Sequence, residues 1–310
     1  MRLASVDVGS NTVRLMVGED ETGHGFRVID RVQRITRLGE GIGSSRRLSP
    51  VAIARTADAL GGFRRHWENL GATRYRAVAT SAVREAENAA EFIAAAISAG
   101  VEVEVISGIQ EARLVMDGMA PVVCGDRGDL VVIDIGGGST EFIHARDGDI
   151  TDIVSTDIGV VRVTELFLTS DPPIREEIDR LLNFLEKRID QVYNRFMPTA
   201  ESLRLAGTAG TVTTLAAVDL GLGVYDPNAV EGCLLTRERI DIILNKLLMM
   251  TGKQRLVRYP VMTRGREDVI IAGAIAARAI IERFGVGGLI VSDRGILEGI
   301  IEGLLKRPYV

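Results

Sequence analysis

The sequence predicts an α/β protein built from two similar halves, and three observations carry that expectation. Apolar runs of strand length alternate with stretches of helical periodicity along most of the 310 residues, the pattern of strands connected through helices. One short phrase occurs twice, as Asp7-Val8-Gly9-Ser10-Asn11-Thr12 after the run Leu3 to Val6, and as Asp134-Ile135-Gly136-Gly137-Gly138-Ser139-Thr140-Glu141 after Leu130 to Ile133. Each copy reads as strand, Gly-rich turn, strand, with an acid closing the first strand. Between the copies, Gly118 to Asp129 is rich in Gly and Asp and contains a proline, which makes it the expected linker between domains of residues 1–124 and 125–310.

The remaining elements follow from local pattern. Phe26 to Ile35 is expected as a strand, and Thr36 to Leu48 as a Gly/Arg-rich loop ending at Ser49-Pro50, a helix start. Ile53, Ala57, Leu60, Arg64 and Trp67 then recur at helical spacing, with Trp67 in the core. Tyr75 to Ala79 and Val101 to Ile106 are expected strands separated by a helix from Glu85 to Ala99, and Ser107 to Arg113 opens a helix that ends near Met119. In the second half, Ile153 to Val163 follows the repeat, and Ser170-Asp171-Pro172-Pro173 caps a long helix from Ile174 to Arg195. Leu203 to Ala206 runs into Gly207-Thr208-Ala209-Gly210-Thr211, a third Gly/Thr turn that starts a helix, and Leu289 to Val291 runs likewise into Ser292-Asp293-Arg294-Gly295. Helices at Arg237 to Met250, Glu267 to Phe284 and Gly295 to Leu305 complete the chain.

Composition excludes several classes. Thirty-seven basic against 42 acidic residues give a net charge of −5, without the basic field of a general nucleic-acid binder. Val269 to Ile281, the most apolar helical stretch, is short and carries Arg278, so it is expected as a core helix and no membrane partner follows. The N-terminus runs straight into the first strand with no room for a signal peptide, and Cys124 and Cys233 read as buried thiols, so a reducing cytoplasm is expected. His24, His66 and His144 have no spacing for a metal or a triad and receive no role.

The repeated phrase points to phosphate. Glycines let consecutive N–H groups face an anion with no Cβ in the way, and Ser10, Asn11, Ser139 and Thr140 add short polar side chains. A single such turn also closes ordinary β-hairpins; two copies with acid, glycine and hydroxyl in matching order favour paired phosphate loops formed by Gly9, Ser10 and Asn11 and by Gly136, Gly137, Gly138 and Ser139. Asp7 and Asp134 cannot bind phosphate themselves but suit Mg²⁺ or its waters, and Glu141 suits the same cation beside Asp134. Hydrolysis of a phosphate chain held by two loops across a cleft needs a base for water, and Glu111, in the first turn of a helix, is the candidate. The residues alone leave open the alternative that Glu111 only favours the helix dipole, and that Arg84 is a surface arginine rather than a phosphate clamp. Arg31, Arg34, Arg37, Arg46 and Arg47 form the densest basic segment and Arg264-Gly265-Arg266 a second; Arg37 and Arg266 are the candidate polyanion contacts, against the alternative of solvated faces.

Taken together, DVGSNT at 7–12, ATSAVREA at 79–86, SGIQEAR at 107–113, DIGGGSTE at 134–141, GTAGT at 207–211 and GREDVIIAG at 265–273 resemble, in order and spacing, the exopolyphosphatase and guanosine pentaphosphate phosphohydrolase (Ppx/GppA) family. The resemblance implies two actin-like domains facing each other across a cleft, and Mg²⁺-dependent release of terminal phosphate from inorganic polyphosphate or pppGpp. It implies Glu111 as base, Asp134 and Glu141 as associated acids, and Arg84, Gly207 and Thr208 with the two loops around phosphate. It also implies a last helix, about 295–310, packed back on the first domain, and a homodimer and a monovalent cation such as K⁺ as an activator are expected. Two departures stand out. Longer members carry an all-helical extension associated with dimerisation and with long polymers, whereas this chain stops at Val310, so short to medium chains are expected as substrate. The family's last motif places an arginine before Glu298-Gly299, where this chain has Leu297 with Arg294 nearby. A pppGpp 5′-phosphohydrolase, a non-hydrolytic (p)ppGpp or polyphosphate sensor, and a kinase or ATPase of the same fold are the alternatives to an exopolyphosphatase.

Overall fold

In the computed structural model, which describes residues 1–21, 25–123, 128–199 and 203–306, the first apolar run becomes the centre of a sheet. Strand β1 (Arg2–Val8) is buried from Leu3 onward and pairs antiparallel with β2 (Thr12–Asp20), which pairs antiparallel with β3 (Phe26–Ile35). A single turn, α1 (Ile42–Ser45), interrupts the expected loop before α2 (Pro50–Asn69). Helix α2 starts where Ser49 accepts the Ala52 N–H at 3.1 Å, with Pro50 in its first turn, and it buries Ile53, Leu60, Phe63 and Trp67 on one stripe. Trp67 is core, as expected, and stacks on Tyr75 at 4.8 Å between centroids.

Next come β4 (Ala72–Ala79), α3 (Ser81–Glu85), α4 (Ala89–Ser98), β5 (Val103–Val105) and α5 (Gly108–Val123). The single helix expected from Glu85 to Ala99 is instead broken at 86–88. Asn88 is the physical reason: its side chain accepts from Leu48 N–H at 2.8 Å and donates to Leu48 C=O at 3.0 Å, a buried bridge that a residue inside a helix would not make. The segment expected as the linker contains the division between the two compact units, at Met119/Ala120, but begins as helix. Helix α5 continues through Gly118 to Val123 with Pro121 inside it, because Gly118 permits close helix packing rather than a turn: a Cβ there would stand 1.9 Å from Gly295 O. Cys124, His24 and the C-terminal residues 307–310 lie outside the described residues.

The second half contains β6 (Asp129–Ile135), β7 (Thr140–Arg146), β8 (Asp149–Thr156), α6 (Val160–Phe167), α7 (Arg175–Phe196), β9 (Arg204–Thr208) and α8 (Ala209–Asp219). It continues with α9 (Pro227–Val230), β10 (Leu234–Thr236), α10 (Arg237–Leu248), α11 (Gly252–Arg258), α12 (Ile270–Phe284) and β11 (Gly288–Val291). Helix α7 is not capped by the Ser170 to Pro173 segment alone: Glu177 reaches back to the Ile174 N–H at 3.2 Å and takes the Thr169 hydroxyl at 2.5 Å. Helix α12 begins three residues later than expected because 264–269 is a turn, with Glu267 accepting from Gly265 N–H. Helices α8 and α12 are buried on nearly every face, so Val269 to Ile281 is core.

The duplication in the sequence is a duplication of topology. The first sheet has the order β3-β2-β1-β4-β5 and the second β10-β11-β9-β6-β7-β8. Taken from β8, the second repeats the first: an antiparallel meander of three strands, then two parallel strands, with β10 added antiparallel at the edge. This is the actin-like arrangement, twice. Two compact units result, one running to Met119 and resuming at Arg294, the other spanning Ala120–Asp293. The resumed chain, α13 (Ile296–Lys306), lies on β1, β2 and β4 of the first unit. It approaches α5 closely enough that a Cβ on Gly299 would stand 1.8 Å from Leu114 O.

Candidate active site

In the first unit the loop after β1 is fixed by backbone bonds from both sides. Gly9 N–H donates to Thr12 O at 3.1 Å, closing the turn. The segment after β3 grips the tip: Thr36 and Arg37 N–H donate to Asn11 O at 3.0 and 2.9 Å, and Gly39 N–H to Ser10 O at 2.8 Å. The tip is thus tied to that segment through its carbonyls, which leaves its N–H groups out of those bonds. Ser10 is buried, and its hydroxyl has no hydrogen-bond partner among the described residues. Arg37 adopts φ 47°, a left-handed conformation uncommon for a side chain of its size and held here by those same bonds.

Arg84 and Glu111 come together in this unit. Arg84, on the single-turn helix α3, donates through NH1 to Ile106 O at 2.8 Å and lies 3.3 Å from Glu111 Oε2. Glu111 is 8 % exposed in the first turn of α5. An acid that merely favoured a helix dipole would sit in solvent; this one is buried against a guanidinium. Arg14, which the sequence reading passed over, stands opposite Asp7 on the neighbouring strand and donates to Asp7 Oδ2 through Nε and NH2 at 3.0 and 2.7 Å. Asp7 is thus ion-paired within its own hairpin.

The second unit repeats the hairpin with the charges changed. Gly136 N–H donates to Ser139 O at 3.1 Å, the counterpart of the Gly9 bond. Asp134 stands opposite Glu141 just as Asp7 stands opposite Arg14. Both acids are buried, and the Ser155 hydroxyl donates to Glu141 Oε1 at 2.7 Å. Facing carboxylates repel unless something positive lies near them, and hard carboxylate oxygens are the donors Mg²⁺ takes. Among the described residues no group of three or more His, Cys, Asp or Glu forms a metal cage. A two-carboxylate set suits a cation that completes its shell with waters and substrate oxygens.

The start of α6 braces this second loop. Val160 and Val161 N–H donate to Gly136 O and Gly137 O at 2.9 and 2.8 Å, and Gly159 lies so close that a Cβ would stand 2.2 Å from Gly138 C. Gly159 and Gly39, which packs against Ser10, were not singled out from the sequence because an isolated glycine in a loop carries no signal of what it touches. The third turn, Gly207-Thr208, leads into α8 through Ala209 at φ 69°, a strained position for a residue with a Cβ. Arg266 donates through NH1 to Gly210 O at 2.9 Å and to the Thr214 hydroxyl at 2.7 Å, so it braces this turn. The fully buried Arg255 in turn holds Glu267 O at 2.7 Å, fixing the segment that presents Arg266.

Three arginines of the basic segment in the first half pair with acids distant in sequence. Arg31 pairs with the buried Glu298 at 2.5 Å, Arg47 with Glu91 at 3.0 Å and Arg46 with Glu87 at 3.6 Å. Leu297 is buried, and Arg294 donates to Gly118 O at 2.8 Å, tying α13 to α5. His144 lies 3.3 Å from Asp129, itself held well below the usual carboxylate range; its burial opposes that shift, but the hydrogen bonds from Arg146 and Thr199 outweigh it. Cys233 is half-buried, and burial pushes its thiol up. Among the described residues no helix is long and apolar enough to cross a membrane.

Comparison with known proteins agrees with this fold. A family model, the Ppx/GppA phosphatase family, matches residues 16–308. The chain is 36 % identical over 312 residues to exopolyphosphatase 2 of Mycobacterium tuberculosis, covering 96 % of this chain and 97 % of that one. Among solved structures, the Aquifex aeolicus member of the Ppx/GppA family superposes with a TM-score of 0.80 at 33 % identity, covering 100 % of this chain and 99 % of that one. An exopolyphosphatase from Cytophaga hutchinsonii shares the fold with a TM-score of 0.89 at 24 % identity, covering 98 % of each chain. Repeated hairpins, repeated topology and near-complete coverage place the chain in the Ppx/GppA phosphatase family.

Proposed function

We propose that this protein is an exopolyphosphatase that releases orthophosphate from the end of inorganic polyphosphate of short to medium length. The observation that carries the proposal is the full-length identity of 36 % with a protein named exopolyphosphatase 2, and the paired hairpins, with Glu111 buried against Arg84, support it. In this mechanism the loops at Gly9 to Asn11 and Gly136 to Ser139, with Gly207 and Thr208, bind phosphate oxygens through backbone N–H groups and hydroxyls. Arg84 orients both the phosphoryl group and Glu111. Glu111 takes a proton from water as the water oxygen bonds to the terminal phosphorus and the bridging P–O bond breaks, its electron pair leaving with the shortened chain. Asp134 and Glu141 would hold Mg²⁺, which when bound neutralises charge on the phosphate oxygens. Asp7, engaged by Arg14, serves this scheme better as an orienting carboxylate than as a direct metal ligand. Cytoplasmic location, a homodimer and K⁺ as monovalent activator belong to the same proposal.

The test is phosphate release by the purified protein with Mg²⁺ from tripolyphosphate, long-chain polyphosphate, pppGpp and ATP. Release from polyphosphate that is lost with EDTA and falls about 10²–10⁴-fold in Glu111→Gln is expected. Preference for pppGpp would reassign the protein as a pppGpp 5′-phosphohydrolase; tight binding without release would make it a sensor; release from ATP alone would overturn the proposal.

A further inference from the structure

The two hairpins share a backbone and differ in their balance of charge. The first carries Arg14 opposite Asp7; the second carries Glu141 opposite Asp134, and no Lys or Arg occurs from Asp134 to Phe142. A polyanion laid on the second loop therefore meets two carboxylates and needs a cation from another element. Helix α6 carries a cationic residue whose backbone meets the loop. Arg162 lies in its first turn, with its N–H 3.4 Å from Gly137 O, beside the Val161 N–H that donates to the same oxygen at 2.8 Å. The Val160 and Val161 hydrogen bonds tie the helix to the loop, and Gly159 packs so close that a Cβ would stand 2.2 Å from Gly138 C. Arg162 is only partly exposed and its Nε is buried, so the side chain follows the protein rather than extending into solvent.

We propose that Arg162, carried to the second loop by α6, is the phosphate-binding cation of that loop. The ligand class is a phosphoryl group of a polyphosphate chain, so the inference rests on the proposed function. A guanidinium there can bridge two phosphate oxygens while leaving the carboxylates to a metal ion.

The experiment is calorimetric titration of tripolyphosphate with Mg²⁺ into Glu111→Gln protein, which removes turnover, compared with the same protein carrying Arg162→Gln or Arg162→Lys. The expected result is at least tenfold weaker binding in Arg162→Gln, partial recovery in Arg162→Lys because the planar fork is lost, and thermal midpoints within a few degrees of the parent. In the turnover-competent background, Arg162→Gln should raise KM more than it lowers kcat. Unchanged affinity in Arg162→Gln overturns the inference, as does a lowered thermal midpoint with unchanged affinity of the folded protein, which would make Arg162 structural. If the Glu111→Gln parent itself binds no tripolyphosphate and the wild-type protein releases no phosphate, the functional proposal fails and this inference with it.

Discussion

Gly159→Ala isolates the role of loop placement. Gly159 has φ −69° and ψ 143°, a backbone that alanine adopts without strain, so conformational preference does not enter. Sterics do: the added Cβ would stand 2.2 Å from Gly138 C, 2.3 Å from Ser139 N and 2.5 Å from Gly137 O, all backbone atoms. Ordinary contact begins at 3.4 Å, so 3.4 − 2.2 leaves the loop or α6 to retreat by about 1.2 Å. Overpacking of this kind costs about 1–3 kcal/mol of stability. A misplacement of about 1 Å in a positioning element costs about 10²-fold in rate. Gly39→Ala is the graded control, because its Cβ would meet the Ser10 Cβ at 2.9 Å, requiring a smaller shift of about 0.5 Å. Steady-state phosphate release and thermal midpoints measured side by side should show the larger loss of kcat/KM in Gly159→Ala and the smaller in Gly39→Ala, beyond what unfolding accounts for. Wild-type activity in a folded Gly159→Ala protein would refute the claim that the second loop is held at a working position by α6.

Three further outcomes are expected. Glu141→Gln, by removing one of the facing acids, should raise the Mg²⁺ concentration for half-maximal activity about tenfold or more and weaken Mn²⁺ binding seen by electron paramagnetic resonance in the absence of substrate; unchanged Mn²⁺ affinity would take Glu141 out of the cation site. Glu177 is held at about 2, first by the Thr169 hydroxyl, so its contribution to stability is present above the ordinary glutamate value of 4.5 and is lost as pH falls toward 2. The thermal midpoint of Glu177→Gln should accordingly lie below wild type at pH 6 and converge with it near pH 2, and parallel curves would contradict the assignment. Gly299→Ala, whose Cβ would stand 1.8 Å from Leu114 O, should lower the thermal midpoint by several degrees as α13 is pushed from α5; a midpoint equal to wild type would show that the two helices are not in backbone contact.

The sequence made the loops visible because a turn that binds an anion uses few residue types in a fixed order, and the chain wrote that order twice. The two strand-turn-strand hairpins, the third turn at Gly207 and the buried helix α12 were all readable in this way. Boundaries set by tertiary contact were not. Asn88 reads as an ordinary helix residue until Leu48 is found beside it, and Gly118 reads as a turn signal until the backbone of Gly295 is seen against it. In both cases the deciding partner lies far along the chain, and local periodicity carries no trace of it. The partner of Arg31 was hidden for the same reason, since Glu298 is 267 positions away.

The repeat also explains why Arg14 was missed although a signal for it was present. Asp7 to Arg14 and Asp134 to Glu141 have the same offset, and in two hairpins of the same register that offset puts the later residue directly across from the earlier one. Comparing the copies for similarity finds the glycines; comparing them for difference finds the charge exchange. The exchange matters more for chemistry. One hairpin sets an arginine across from its acid and the other sets a second acid there, so the first is internally neutralised and the second keeps two carboxylates that favour a nearby positive charge. A double exchange, Arg14→Glu with Glu141→Arg, should therefore not restore the phosphate release that either single change removes, because each charge acts on the partners of its own unit: Asp7 in one, Asp134 and Ser155 in the other.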